Sequence, residues 1–192
     1  MPRKLQDWNE IFKAFSNESR ATKFYSRLSP RELLILCASL LDLVLIHILK
    51  KGLRGEEKEI DSFLGVNGNL DAPCGTFDAR IRLAYVVGII NQAEMEPIKA
   101  IRQMRNHFAH NYKVSLSEKD MIKKLDKVHR FVLAFLLYDW HKYGTKERAL
   151  VRRLRRFATD ARVAKDLLRL ATLLLPKWLD VTLKERAKPI GQ

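Results

Sequence analysis

The stretch IRQMRNHFAH, residues 101–110, sets two arginines, an asparagine and two histidines into ten residues of helical pattern. Together these side chains suit phosphodiester chemistry. Arginine presents a planar fork to phosphate, histidine takes or gives a proton near neutral pH, and asparagine can orient either one. The candidate catalytic set is Arg105, Asn106 and His110, with Arg102 as a further anion contact. At about 100° per residue, Ile98, Ile101, Arg105 and Phe108 share one helix face, with Met104 close to it. Arg105 therefore lies in an apolar stripe, where a bare guanidinium is expensive. It needs a carboxylate, a carbonyl, an anionic ligand or an interface. Asn106 and His110, four residues apart, share a different face, with Arg102 one turn further back. Arg105 and His110 stand about 140° apart around the axis. They converge if the helix ends at Ala109 and frees His110, or if a two-fold-related copy supplies the second half of the site. The same residues also fit a polar cluster that pins helix packing, and spacing alone leaves both readings open.

A second cluster, RALVRRLRRF at 148–157, places Arg148, Arg152, Arg155 and Arg156 along one side of a helix as a candidate phosphate rail. It belongs to a wider asymmetry in a chain of formal net charge +14. Residues 1–144 carry 23 basic and 17 acidic side chains, whereas residues 145–192 carry 13 and 5. The excess in the last quarter points to an acidic partner, nucleic acid first and an acidic protein second. A solvated basic face that serves solubility is the plain alternative.

The elements that must position these residues are helical. With 192 residues, 47% hydrophobic and 30% charged, eight glycines and six prolines, the chain has the composition of a folded helical protein. An amphipathic segment at about 4–26 carries Trp8, Ile11, Phe12, Phe15 and Phe24 near helical spacing. Ser29, Pro30 and Glu32 form a helix start, and the apolar run that follows should extend to about Lys51 and stop at Gly52. Leu33, Leu34, Leu40, Leu41, Val44 and Leu45 are its expected buried residues. A short helix near 56–64 precedes a loop at 65–75 rich in Gly, Asn and Pro. Further helices are expected at 77–90, capped by Thr76, and from Gln92 to His110. Another runs from a Ser117/Asp120 capping box to Tyr143. A final one, at 145–175, carries a stripe of Leu150, Leu154, Phe157 and Ala161. Six or seven helices without a strand make an all-α bundle. Gly144 is the expected boundary between a bundle at 1–144 and a basic helical extension at 145–192.

Several function classes drop out. Phosphate-binding glycine loops, nucleophile elbows and dinucleotide fingerprints are absent from the sequence. His129, Asp139 and His141 repeat with no other ligands, so neither a metal nor a cofactor is expected. Cys37 and Cys74 read as reduced thiols rather than a disulfide framework. The apolar run at 32–49 contains Asp42 and His47, which favours a buried core helix over a membrane span. The first ten residues lack the apolar region of a signal peptide, so a cytoplasmic location is expected.

Two segments carry a family resemblance. The Arg-Asn-x-x-x-His of Arg105, Asn106 and His110 resembles the motif of the HEPN superfamily. More specifically, residues 74–110 resemble the mannitol operon repressor family. Gly75, Thr76, Phe77, Ala79, Arg80, Ile81, Leu83, Ala84 and Tyr85 match its first segment. Ile101, Arg102, Arg105, Asn106, Phe108, Ala109 and His110 match its second. The resemblance implies a helical bundle that dimerises around the motif and acts as a transcriptional regulator of repressor type without a helix-turn-helix. It also implies two alternatives. One is a metal-independent endoribonuclease in which Arg105 and His110 act on the scissile phosphate and ribose hydroxyl; the other is a non-catalytic dimeric scaffold. The extension from about Lys146 has no counterpart in the family's pattern.

Overall fold

A computed structural model describes residues 24–66, 68–111, 115–116 and 118–138, together with positions 165, 167–169, 171, 172 and 175. Five helices order the described chain: α1 (Pro30–Gly52), α2 (Glu57–Leu64), α3 (Phe77–Val86), α4 (Gln92–His110) and α5 (Lys119–Tyr138). No strand occurs among the described residues, and the fold is all-α. The expected boundary at Gly144, the stripe at 150–161 and the N-terminal Trp8, Ile11, Phe12 and Phe15 lie outside the described residues.

Helix α1 is the hub. Ser29 accepts from the Glu32 N–H, while the Glu32 carboxylate accepts from the Ser29 N–H at 2.6 Å, a complete capping box with Pro30 at the first helical position. Ten of its residues are buried, among them all six expected from the sequence. Its length and hydropathy would let it cross a membrane, and in this fold 56% of that apolar window is buried among other elements. α1 packs on α2, α3 and α4, and α5 packs along α4. The core is completed by Leu167, Leu168, Ala171 and Leu175, so chain far beyond α5 returns to α1. There the Thr172 hydroxyl donates to the Leu168 carbonyl at 2.7 Å beside Cys37, burial pushes the Cys37 thiol up to about 12, and Arg169 donates to the Ser26 carbonyl at 2.9 Å.

Two expectations are corrected. Helix α3 ends at Val86 rather than at 90, because Gly88 takes a left-handed φ of 73°. The Ile89 N–H then reaches the Ala84 carbonyl and the Gly88 N–H the Tyr85 carbonyl, a Schellman stop. Asn91 next caps α4 with Glu94 in a second capping box. At the N-terminal edge, Tyr25 is the buried aromatic and Phe24 is exposed. Ahead of α5, Ser115 and Glu118 make the local contacts, the Glu118 carboxylate accepting from the Ser115 N–H at 2.9 Å; Ser117 lies outside the described residues.

Between α2 and α3 the loop folds on itself. Gly65, at φ 63°, and Gly75 pack so closely that a Cβ on either would sit 2.3 Å from the Asn69 carbonyl oxygen. Into this knot reaches Arg80, which is 5% exposed. Its guanidinium donates to the Leu64 carbonyl from Nε (3.1 Å) and Nη2 (2.7 Å), and to the Gly75 carbonyl from Nη2 (2.9 Å). Nη1 forks onto both Asp42 oxygens at 2.8 and 2.7 Å. The arginine thereby ties α1, the loop and α3 with every arm of its fork in use.

Candidate functional site

Helix α4 buries one stripe and leaves its other side to solvent. Ile98, Ile101, Met104 and Phe108 go into the core, as their spacing requires. Arg102, Asn106 and His110 recur on the opposite side and, with Gln103, His107 and Asn111, form one wall of an open groove. Asp120 and Lys124 from the first turns of α5 form the other wall, and the groove holds about 600 Å³. The pairing of α4 with α5 is what sets these walls side by side.

Arg105 lies outside the groove walls. It is half-buried and meets its need for an acceptor through Asn106, whose Oδ1 takes a hydrogen bond from Nη1 at 2.9 Å. The Asp42 carboxylate on α1 feels the charges of both Arg80 and Arg105. Burial pushes the Asp42 carboxyl up from its ordinary range, and the two arginines pull it back. The residue that notched the apolar stripe in the sequence thus stands between a carboxylate behind it and an amide in front.

His110 is the last residue of α4 and Asn111 its cap, the Asn111 N–H donating to the His107 carbonyl. The helix does not end at Ala109 to swing His110 toward Arg105, because the last turn stays closed through His110. Within one chain Arg105 bonds Asn106, and Asn106 and His110 both line the groove while Arg105 does not. Of the sequence-derived anion contacts, Arg102 lines the groove; Arg148, Arg152, Arg155 and Arg156 lie outside the described residues.

Most cationic groups in the groove already hold a carboxylate. Arg102 Nη2 meets Asp78 at 3.0 Å, and Asp78 also receives Arg82 Nε at 3.0 Å. The Arg102 Nε is buried and has no hydrogen-bond partner among the described residues. Lys124 pairs with Asp120, which this contact holds below the usual carboxylate range. His107 Nε2 faces Glu118 at 3.8 Å. His110 is exposed and has no carboxylate at ion-pair distance among the described residues.

Sequence reasoning missed the Arg80–Asp42 pair and the α5 wall. A lone Asp inside the apolar α1 was the available signal, since it needs a partner when buried, whereas Arg80 shares α3 with Asp78 and Arg82 and did not stand out. Cys74, expected in a loop, is buried there; burial pushes its thiol up, with Arg80 opposing. Among the described residues, no group of three or more His, Cys, Asp or Glu is placed to hold a metal. Searches of family models, curated proteins and solved structures return no match to this chain.

Proposed function

We propose that this protein is a cytoplasmic regulator of the mannitol operon repressor type that works by binding nucleic acid along the α4–α5 groove. The observation that carries this reading is the convergence of Arg102, Asn106, His107, His110 and Lys124 on one open, polar surface of about 600 Å³. Guanidinium, ammonium, imidazole and amide are the donors that phosphate backbones use. The chain's formal charge of +14 supplies attraction at longer range. The groove is too open and polar for a buried small-molecule site, where apolar walls dominate. The arginines at 148–156 are a second contact for the same polyanion, and an acidic protein is the competing occupant.

A metal-independent endoribonuclease is the second reading. It is favoured by the Arg105–Asn106 hydrogen bond beside a groove that Asn106 and the exposed His110 line. In this reading a two-fold copy faces His110 toward the partner's arginine, His110 serves as general base for the ribose hydroxyl, and Arg105 stabilises the phosphate.

One experiment separates these readings. Purified protein is incubated without metal with labelled RNA and DNA, beside Arg105→Ala and His110→Ala. Binding that weakens steeply with salt, with intact substrate, supports the regulator. RNA cleavage by wild type but by neither variant makes it a nuclease. Absence of any binding would refute both and leave the interaction scaffold.

A further inference from the structure

We propose that Glu118 and Asp120 are built-in counter-anions of the α4–α5 groove, holding the donors that a nucleic-acid phosphate must win. This rests on the nucleic-acid reading above. Asp120 engages Lys124, and Glu118 faces His107 at 3.8 Å. Both acids stand at the start of α5, on the side opposite the α4 residues that would meet the ligand. Asp78 differs: it is shared by Arg82 and Arg102 and is about three-quarters buried.

Glu118 and Asp120 are suited to exchange. Their side chains retain 45% and 68% of their exposure, so neither is locked by packing. Exposed pairs of this kind are individually weak and screened by salt. A carboxylate released from Lys124 or His107 remains at the N-terminal end of α5, where unpaired N–H groups favour negative charge. Glu118 also keeps its Oε1 bond from the Ser115 N–H when Oε2 lets go of His107. Exchange thus costs little for each pair, yet every pair must be exchanged. A free phosphate replaces one carboxylate and gains little. A chain of phosphates replaces several in a single binding event, so the groove selects polyanions over small anions.

The test uses full-length protein and a fluorescently labelled single-stranded RNA, read by anisotropy at fixed low salt, with inorganic phosphate as competitor. The variants are Glu118→Gln and Asp120→Asn, alone and together, beside Lys124→Gln. The amides keep an acceptor oxygen for the Ser115 N–H and for Lys124, so the fold is checked by an unchanged melting curve. Each neutralisation should tighten RNA binding about fivefold, the factor that two unit charges about 4 Å apart in water represent. Inorganic phosphate should compete better against the double variant than against wild type. Wild-type binding that Lys124→Gln weakens and the acid variants leave unchanged would overturn the counter-anion role while sparing the groove. Weaker binding by the acid variants would also overturn it, by making the carboxylates ligand contacts. Binding by the double variant where wild type shows none supports it in its strongest form. Failure of every protein to bind would overturn both the role and the nucleic-acid reading.

Discussion

Replacing Arg80 with Met isolates what the buried guanidinium does, because the apolar stem is kept and only the charged fork is lost. Asp42 then keeps the charge of Arg105, and the Leu64 and Gly75 carbonyls lose their donors. Removing one partner of a buried ion pair costs about 3–5 kcal/mol. The low end applies here, about 3 kcal/mol, because the Asp42 side chain keeps 25% of its exposure. Each stranded carbonyl adds about 1 kcal/mol, for a total near 5 kcal/mol. That is a large share of the roughly 5–15 kcal/mol that stabilises a domain, and it corresponds to a fall in Tm of about 10–20 °C. The loss also depends on pH. Burial raises the Asp42 carboxyl in the folded state, so ionising it opposes folding as pH rises from the ordinary carboxylate value through the raised one. Arg80 counters that penalty, and without it the folded-state value rises further. The deficit of Arg80→Met should therefore be largest near neutral pH and shrink in acid, where a protonated Asp42 needs no counter-charge. Urea unfolding of both proteins at neutral and acidic pH measures this. A difference below about 1 kcal/mol, or one that does not change with pH, would refute the reasoning.

Gly65→Ala should cost more than Gly68→Ala. Both sites have positive φ, worth about 1–2 kcal/mol against a side chain, but only at Gly65 does the new Cβ meet backbone, at 2.3 and 2.7 Å. Equal losses by chemical denaturation would mean that the knot at 65–75 is looser than described. The Cys37 thiol, fully buried and raised to about 12 by that burial, should resist thiol reagents at pH 8. Denaturant should release both cysteines, whereas complete reaction of two thiols in native buffer would contradict the burial of Cys37 and Cys74.

The limits of sequence reading show in particular residues. Local rules placed α1 and α4 well, because Ser29, Pro30 and Glu32 act within one turn and the Ile98–Phe108 stripe has the helical period. The same local chemistry was present at Gly88 and Asn91, yet the apolar VVGII run masked it and α3 looked four residues longer. The need of Arg105 for an acceptor was legible from its helical position, but that Asn106, its neighbour in sequence, meets it was not. Arg80 and Asp42 are 38 residues apart, and their pairing depends on how α1 and α3 pack. The α5 wall was hidden for the same reason: Asp120 and Lys124 are ordinary surface charges until α5 lies beside α4.

The central claim, that the α4–α5 groove receives nucleic acid, is tested most directly by following backbone amides by NMR while single-stranded RNA is added to the full chain. The account predicts saturable shifts concentrated at Arg102, Asn106, His107, His110, Asn111 and Lys124, and their loss in Arg102→Gln/Lys124→Gln. Shifts confined to the arginine-rich stretch at 148–156, with the groove amides unmoved, would contradict it.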